Sequence, residues 1–456
     1  MRSLPAATYP QQTRFALRHG VTCLTTTAGA VLIGPRCEEK LTDLSSGRLL
    51  ALEALTRGPA TLPELSAASG DDVGQLIGRL TDGGWLSVTV RDGGRDLYTI
   101  RPFGRPAPRP DTPLPWSATL SKFAVLHRDS EGFVLEHPRT RCDLRIHDPR
   151  LLALLDGLGA ADAAVPIAVK TQFADDLYRC GFLVPDADAE DDEFATHGWS
   201  LPDLWFHRRS MPGERADSVA RFGPTAWAKG RLPQPPARKP EYPGDAIDLP
   251  VPDLAARRAE DPTLTAVLED RVSTRTFDAA HPITLAQVAE LLYRTARTRG
   301  TPPEGEEPVS RPYPSGGDVY ELELYPVVRD VAGLARGMYH YDSFEHALRP
   351  VAAADSPAVT RLLEPRPTVA AQPQVLLLMA ARAGRVTWTY ERGAYAAVLQ
   401  HVGILTQTIY LAATAMGLGA CAVGAPDTEA FAAATGLDEL EECAVGSMIL
   451  GSALSS

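Results

Sequence analysis

Three polar residues at alternating positions, Arg271, Ser273 and Arg275, stand just before a helical pattern. In an extended segment, alternate side chains point to the same side, so two guanidinium groups and a hydroxyl would converge there. A guanidinium donates to two phosphate oxygens at once, and the set would therefore suit a phosphate monoester. A solvated Arg-Ser-Arg face would give the same pattern, so these residues do not decide the matter alone.

A second candidate is a bare turn that stands directly before an alternating apolar strand. Its residues are Pro314, Ser315, Gly316 and Gly317. Glycines remove side chains where a flat or charged group could come close, and they permit turn conformations that are closed to other residues. An ordinary loop before a strand would have the same composition.

A long apolar helix, predicted from about Ala394 to Met416, is the third feature. Its apolar face consists of Val398, Val402, Leu405, Ile409 and either Ala412 or Ala413. Gln407 lies inside this pattern, where it would contact the edge of a ligand or remain a surface amide. Gly417 and Gly419 end the helix, and a short strand follows directly.

The composition is that of an ordinary globular protein. The 456 residues are enough for two to four domains. The formal net charge of −12 argues against general nucleic-acid binding. No uninterrupted apolar run approaches the roughly 18 residues that span a bilayer. The N-terminus lacks the apolar core of a signal peptide, so we expect no membrane association and a cytoplasmic location.

The six cysteines include no CxxC pair. Such sparse use in a large chain suits reduced thiols in a cytoplasm, and no metal site is expected. Cys421 follows the glycines after the long helix and would be either a nucleophile or a small buried residue, of which the buried role is favoured.

Two stretches, 13–100 and 117–187, each follow a winged-helix-like plan of strands and helices that ends in a strand. The paired endings LIGRLTDGGWLSV and FADDLYRCGFLV both place a glycine between an apolar helix face and the next strand. The candidate recognition helices are acidic where DNA phosphates would lie. Peptide binding along a strand edge or a helix groove is therefore the preferred function, although simple packing on the next domain fits equally well.

A linker is predicted over 188–253. It begins in the acidic run DADAEDDEFATHG, which we expect to be a solvated loop. The proline-rich part that follows cannot be a regular helix or a central strand. From 254 to 456 helices alternate with strands, which predicts an α+β domain.

Several motifs of this domain together resemble the FMN-dependent nitroreductase superfamily, and within it the SagB-type dehydrogenases, the azoline oxidases that mature thiazole- and oxazole-containing peptides. The motifs are RVSTRTF at 271–277, RPYPSGGDVYELELY at 311–325, GMYHYDSFEHALRPV at 337–351 and TQTIYLAATAMGLGACAVGA at 406–425. WFHRRSMPG at 205–213 resembles the linker signature of the same group. The doubled winged-helix-like N-terminus is similar to that of the larger members, including cyanobactin and thiopeptide oxidases.

The resemblance implies a homodimer with FMN at the subunit interface. By position, the Arg-Ser-Arg set at 271–275 would hold the phosphate. The turn at 314–317 would run past the isoalloxazine ring of FMN. In this fold the partner subunit typically contributes that turn. Gln407 and the turn from Gly417 to Gly419 would complete the pocket. On this interpretation the turn at 314–317 is bare because a flat flavin ring packs on its backbone.

The sequence departs from the family pattern at two places. Family members with azoline oxidation often carry a Lys-Tyr pair before the long helix; here Tyr390 matches the tyrosine and Thr389 stands at the lysine position. A threonine hydroxyl cannot act as a base near neutral pH. Ser452 stands where many relatives have a cation, so that phosphate binding would rest more on Arg271 and Arg275.

Tyr390 is the candidate that manages the substrate proton. An ordinary phenol has a pKa of about 10, so Tyr390 would need a cationic neighbour to act as a base. Arg385 and Arg392 are possible neighbours. His401, on the long helix, is a further candidate to replace the missing lysine.

The function that the resemblance implies is FMN-dependent oxidation of peptide thiazolines or oxazolines to thiazoles or oxazoles, beside a cyclodehydratase that acts on the same precursor peptide. A nitroreductase-type flavoenzyme that uses NAD(P)H on another substrate is one alternative. A scaffold subunit that has lost catalysis is another. The two winged-helix-like modules argue against the first alternative, because a reductase of small molecules needs no peptide-binding modules. The presence of Arg271, Ser273 and Arg275 argues against the second, because a scaffold needs no flavin pocket.

Overall fold

The computed structural model describes residues 10, 12–26, 29–35, 37–70, 72–107, 112–155, 165–211, 223–300, 309–364 and 372–454. Contacts divide the chain into two units, Met1–Val219 and Ala220–Ser456. The finer division into two modules, a linker and a C-terminal domain stays a prediction. The last two residues of WFHRRSMPG and residues 108–111 between the modules lie outside the described residues.

The first unit is built from short strands and helices. Its strands are β1 Arg14–Leu17, β2 Thr22–Thr26, β3 Gly29–Ile33, β4 Glu38–Thr42, β5 Ala60–Thr61, β6 Leu86–Asp92, β7 Arg95–Pro102, β8 Thr119–Leu120, β9 Val125–Asp129, β10 Gly132–Glu136, β11 Cys142–Ile146 and β12 Leu183–Val184. Its helices are α1 Ser46–Arg57, α2 Leu62–Ser69, α3 Gly74–Asp82, α4 Ile167–Arg179, α5 Ala189–Asp192, α6 Phe194–His197 and α7 Leu201–Ser210, and a 3₁₀ helix spans Pro149–Leu155.

The first predicted module has the winged-helix order. Helix α1 is followed by β5, α2, α3 and the hairpin of β6 and β7, whose turn at Gly93 and Gly94 has φ angles of 54° and 81°. Ser45 caps α1 by accepting a hydrogen bond from the N–H of Arg48 at 3.2 Å. Thr61 begins α2 with a capping box. The winged-helix-like prediction is confirmed for this module.

The two modules share one antiparallel sheet. Its strands follow the order β5-β1-β6-β7-β11-β10-β9. The modules meet where β7 pairs with β11, in a register that runs from Tyr98 opposite Ile146 to Pro102 opposite Cys142. The sequence repeat therefore corresponds to a continuous sheet rather than to two separate ones.

The paired helix endings have the same hydrogen-bond geometry. After α3 the N–H of Trp85 donates to the carbonyl of Leu80 at 2.9 Å, and after α4 the N–H of Phe182 donates to the carbonyl of Leu177 at 2.9 Å. The glycine before each aromatic residue has a positive φ, 72° in the first module and 80° in the second. Glycine adopts this conformation without strain, which explains why both endings contain one.

The prediction that the acidic run at 186–198 is a solvated loop holds only in part: most of its residues are exposed, but it is not a loop throughout. The run contains α5 and α6, and the side chain of Glu190 is buried. Its carboxylate accepts hydrogen bonds from the Ser121 hydroxyl at 2.7 Å and from the N–H of Lys122 at 2.8 Å. A carboxylate that accepts such hydrogen bonds can be buried at little cost, so an acidic residue in such a run need not be exposed to solvent.

The second unit alternates helices and strands. Its strands are β13 Ile247–Asp248, β14 Leu322–Val328, β15 Gly337–Asp342, β16 Ala347–Ala353, β17 Val375–Arg382, β18 Leu418–Val423 and β19 Glu442–Ser452. Its helices are α8 Leu254–Glu260, α9 Leu264–Asp270, α10 Leu285–Ala296, α11 Pro357–Leu362, α12 Ala383–Thr389, α13 Ala394–Ala415 and α14 Thr428–Thr435, and a 3₁₀ turn spans Gly316–Asp318.

The strands of the second unit form one antiparallel sheet between two helix layers. The strand order is β13-β16-β15-β14-β17-β19-β18. Residues of α10 and α13 form one core with the sheet, and residues of α11 and α14 form the other. The predicted α+β class is confirmed. Because both faces of the sheet are covered, β14 is buried along its whole length.

Helix α13 is central to this unit and begins and ends within one residue of its predicted bounds. The predicted apolar face contacts the core: Val398, Leu405, Ile409 and Ala413 are buried, while Val402 and Ala412 are half-buried. Gly446 on β19 permits close packing, since a Cβ there would lie 2.7 Å from Cγ1 of Val402. Among the described residues α13 is also the one helix long and apolar enough to cross a membrane.

Candidate active site

The segment with the Arg-Ser-Arg set lies along β18. The N–H of Thr274 donates to the carbonyl of Ala420 at 2.9 Å. Gly419 packs against this segment: a Cβ on Gly419 would lie 2.8 Å from Cγ2 of Thr274 and 3.1 Å from the ring of Phe277. Gly419 is therefore bare because two parts of the chain meet there, and the cofactor-binding role predicted for it is not needed to explain the glycine.

Tyr410 on α13 organises two of the three phosphate-binding candidates. Its hydroxyl lies 3.0 Å from the Ser273 hydroxyl, and its ring centroid lies 5.3 Å from the guanidinium carbon of Arg271. The side chain of Arg275 is exposed. Tyr410 was not predicted as a site residue, although a tyrosine on the buried face of an apolar helix is a signal, because its hydroxyl needs a partner.

The turn at 314–317 presents backbone to the outside. Pro314, Gly316 and Gly317 are exposed, and Ser315 closes the turn by accepting a hydrogen bond from the N–H of Tyr320 at 3.0 Å. The backbone φ angle is positive at Gly317 (63°) and at two residues just after the turn, Asp318 (52°) and Tyr320 (44°). Positive φ is unfavourable for residues other than glycine, so the packing around the turn holds this geometry.

A buried histidine and a buried glutamate hold the turn from inside. The N–H of Gly316 donates to Nε2 of His401 at 2.7 Å, and Nδ1 of His401 lies 2.8 Å from Oε1 of Glu321. Because an amide can only donate, Nε2 is the acceptor, and Nδ1 carries the hydrogen that Glu321 accepts. Oε2 of Glu321 is buried without a partner among the described residues.

Tyr390 lies at the same point. A Cβ on Gly316 would lie 3.1 Å from the Tyr390 hydroxyl oxygen and 3.2 Å from Nε2 of His401. A side chain at 316 would therefore have to displace both groups. The family resemblance explains the bare turn by a flavin ring, and the structure adds a reason that lies within the chain.

The surroundings of Tyr390 differ from the cationic setting that a phenolate base would need. Burial raises the pKa of Tyr390, and the negative charges of Glu321 and Asp318 raise it further. Arg385, considered as a neighbour that would lower this pKa, is buried and donates to the carbonyls of Val319 at 2.8 Å and Pro235 at 2.6 Å. The phenol is therefore protonated near neutral pH.

The remaining predicted site residues are less closely tied to this cluster. Thr389 is buried, and its hydroxyl donates to the carbonyl of Arg385 at 2.9 Å, one turn earlier in α12. Gln407 is exposed on α13, and Gly417 is exposed with a φ of 68° just after that helix. Ser452 donates to the carbonyl of His281 at 2.6 Å. Thr389 and Ser452 thus have structural bonds at the two positions where the family pattern is broken.

Two family models match the chain. The nitroreductase family model matches residues 268–452, which contain every site residue discussed above except Pro235. The model of the cyanobactin oxidase ThcOx matches residues 118–216, which run from β8 to the end of α7 and just beyond. These matches confirm the resemblance drawn from the motifs.

Parts of the chain are also similar to individual proteins. A protein of Methanocaldococcus jannaschii named as a nitroreductase is 31% identical over 182 residues, which are 40% of this chain and 86% of the relative. A crystal structure from Anabaena variabilis, also named as a nitroreductase, is 23% identical with a TM-score of 0.40; the match covers 54% of this chain and 45% of that one. The E. coli microcin synthetase McbBCD complex with truncated pro-MccB17 bound contains a chain that is 18% identical with a TM-score of 0.35, with 54% of this chain and 88% of that chain covered.

Proposed function

The chain belongs to the nitroreductase family, and from this premise we propose that it is an FMN-dependent dehydrogenase that oxidises peptide azolines to azoles. The observation that carries the proposal is the pair of family matches, one to nitroreductases over 268–452 and one to a cyanobactin oxidase over 118–216. A reductase of small molecules would not need the second of these. A peptide substrate and a cyclodehydratase partner follow from the same resemblance.

The described residues fit FMN. Arg271, Ser273 and the exposed Arg275 offer charged and hydroxyl donors to a phosphate monoester, and the exposed turn at 314–317 offers bare backbone to a flat ring. When bound, FMN supplies the hydride acceptor, and the protein supplies position and proton management.

We assign proton management to Tyr390 and His401. Oxidation of an azoline removes one proton from the ring, and we assign its uptake to Nε2 of His401, whose other nitrogen donates to the Glu321 carboxylate. Nε2 accepts the N–H of Gly316, so this bond has to open before the proton is taken up there. The protonated Tyr390 hydroxyl is suited to donate a hydrogen bond to the substrate. Together these two groups replace the Lys-Tyr pair whose lysine is absent at Thr389.

We also propose a homodimer. Large apolar side chains are exposed on α9 and α13 and beside them, namely Leu264, Leu268, Val272, Tyr395 and Leu399. A second copy of the chain would cover this face, as the family resemblance implies, and would bring its own turn at 314–317 to the site. Light scattering of the purified protein should give twice the mass of one chain, and a monomer would contradict this arrangement.

The first experiment is an absorption spectrum of the purified protein, with the flavin released by heat and identified by mass. We expect FMN at one per chain. Incubation with an azoline-containing peptide should then remove two hydrogen atoms per oxidised ring. Rapid bleaching by NAD(P)H with turnover on nitroaromatics and none on azoline peptides would favour the reductase alternative. A colourless protein that does not take up FMN would leave the scaffold alternative.

A further inference from the structure

The hydrogen-bond partners of Tyr410 define the direction of each bond. The N–H of Ala422 on β18 donates to the Tyr410 hydroxyl oxygen at 2.6 Å. The same oxygen lies 3.0 Å from the Ser273 hydroxyl oxygen. Within the described part of the chain, Ser273 is the acceptor within reach of the phenolic hydrogen. A buried hydroxyl without an acceptor would be unfavourable, so Tyr410 donates to Ser273.

Because Tyr410 donates to Ser273, the hydroxyl hydrogen of Ser273 remains available for a hydrogen bond to a ligand. A serine hydroxyl that accepts one bond still has its own hydrogen to donate, and Ser273 is only half-buried. The guanidinium of Arg271 lies over the ring of the same tyrosine, 5.3 Å from its centroid, which is within the range of a cation–π contact. One residue thus orients both an uncharged and a charged donor.

Tyr410 is itself held rigidly. Its side chain is buried at 8% exposure, and its backbone carbonyl accepts a bond from the Thr414 hydroxyl at 2.8 Å. The contact with Ala422 ties the C-terminal half of α13 to β18. Donors that are fixed before a ligand arrives lose little conformational entropy on binding, which favours tight binding.

We propose that Tyr410 is the positioning residue of a phosphate-monoester site, in which it fixes the Ser273 hydroxyl as a donor and Arg271 as a cation. The proposal rests on the proposed function, since FMN is the monoester in question. It assigns a role to a residue that need not touch the ligand itself.

The experiment compares FMN with riboflavin, which has the same ring and ribityl chain but no phosphate. Apo protein is prepared as wild type, Tyr410→Phe, Ser273→Ala and the double variant, and dissociation constants are measured by quenching of flavin fluorescence. Tyr410→Phe keeps the ring beneath Arg271 and removes only the hydroxyl. Tyr293→Phe is the matched control, because Tyr293 on α10 also has an arginine over its ring, Arg297 at 4.4 Å.

We expect Tyr410→Phe to weaken FMN binding by roughly three- to tenfold, the usual effect of one hydrogen bond, and to leave riboflavin binding unchanged. The double variant should bind FMN no more weakly than Ser273→Ala, because the hydroxyl acts through Ser273. An equal loss for FMN and riboflavin would mean a general packing role and would overturn the inference. FMN binding unchanged in Tyr410→Phe would overturn it as well, while the proposed function would stand. Wild-type protein that binds neither flavin would refute both.

Discussion

Gly316 has two different surroundings at the scale of single residues. Outward, its backbone is exposed, as a turn that receives a flat ring would be. Inward, the space that a side chain would fill is taken by the Tyr390 hydroxyl and the His401 imidazole. The sequence predicts a bare turn from its glycines, but it does not predict the groups behind it, because both lie far along the chain.

Tyr390 and His401 should be needed for turnover but not for holding FMN. Tyr390→Phe removes the hydroxyl, and His401→Gln keeps an amide that can bond to Gly316 or Glu321 but cannot take up a proton. We expect each to lower kcat by about 100-fold or more, the usual range for general acid–base groups. Turnover is measured by mass on an azoline peptide, and bound FMN by absorbance.

Tyr293→Phe is the control for this pair, since Tyr293 lies on α10, where its ring contacts Arg297 and His346 rather than the site. It should leave kcat unchanged. Full turnover in His401→Gln would limit His401 to holding the turn, and full turnover in Tyr390→Phe would remove the hydroxyl from the mechanism.

The candidate site shows which residue roles can be predicted from sequence. Alternation places Arg271 and Ser273 on one side of their segment, and in the structure both lie beside Tyr410. Thr389 and Gly419 were assigned by alignment with a family pattern, yet their contacts are with their own chain. Alternation is a local property of the backbone, whereas the partner of a threonine or a glycine depends on which distant segment packs there.

At the scale of elements, the proline-rich segment that precedes the core of the second unit binds to α12, the helix just before the candidate residue Tyr390. The N–H of Thr225 donates to the carbonyl of Trp388 at 3.1 Å, and the Trp388 indole N–H donates to the carbonyl of Leu232 at 3.3 Å. Arg385 on α12 then connects the carbonyl of Pro235 to that of Val319, just after the 3₁₀ turn. This proline-rich part, predicted as a linker without regular structure, is therefore bound along α12.

Arg385→Lys should weaken this connection. A lysine cannot reach two carbonyls in different directions as a guanidinium does, so at least one buried carbonyl loses its donor. We expect the free energy of unfolding to fall by about 1–3 kcal/mol in denaturant titrations. Hydrogen exchange should become faster at 232–237 and 316–320.

Arg361→Lys is the matched control, because Arg361 makes its ion pairs with Asp427 and Glu429 at the surface. Replacing this exposed guanidinium should lower the free energy of unfolding by less than about 1 kcal/mol. Equal effects of the two substitutions, or no change in exchange at the turn, would contradict the role given to Arg385.

Elements were predicted best where the signal is local. The bounds of α13 and the glycines that end α3 and α4 depend on neighbouring residues. The acidic helices were missed because Glu190 is stabilised by Ser121 and Lys122, which belong to a different part of the unit. The same holds for β14, whose burial on both faces depends on helices elsewhere in the chain, α10 and α13 on one side and α11 and α14 on the other.

At the scale of the whole molecule, each of the two units contains a buried carboxylate, and the two titrate in opposite directions. In the first unit, Asp176 accepts bonds from Tyr98 at 2.6 Å and Gln172 at 3.1 Å, but burial outweighs them and raises its pKa to about 6. In the second, burial alone would raise the pKa of Glu323, but the bond from His340 and the nearby positive charges lower it to about 2.

These shifts have opposite consequences for stability. A carboxyl group whose pKa is raised on folding contributes stability that is complete below its unfolded value of 3.8 and is lost as the pH rises through about 6. A carboxyl group whose pKa is lowered on folding contributes stability that is complete above its unfolded pKa of 4.5. That stability is lost as the pH falls toward 2. The first unit should therefore gain stability between pH 7 and pH 4, and the second should lose it below about pH 4.5.

Asp176→Asn tests the first half of this contrast. An amide has no charge to bury, so the variant should lose the dependence between pH 4 and pH 7, which amounts to about 3 kcal/mol at most. Hydrogen exchange on the full chain measures each unit separately. Asp175→Asn is the control, since Asp175 is partly exposed beside Arg179 and its replacement should leave the pH dependence of stability intact.

Glu323→Gln should leave the first unit unchanged and reduce the loss of stability of the second unit below pH 4.5. If Asp176→Asn kept the full pH dependence of the first unit, another buried group would have to carry it.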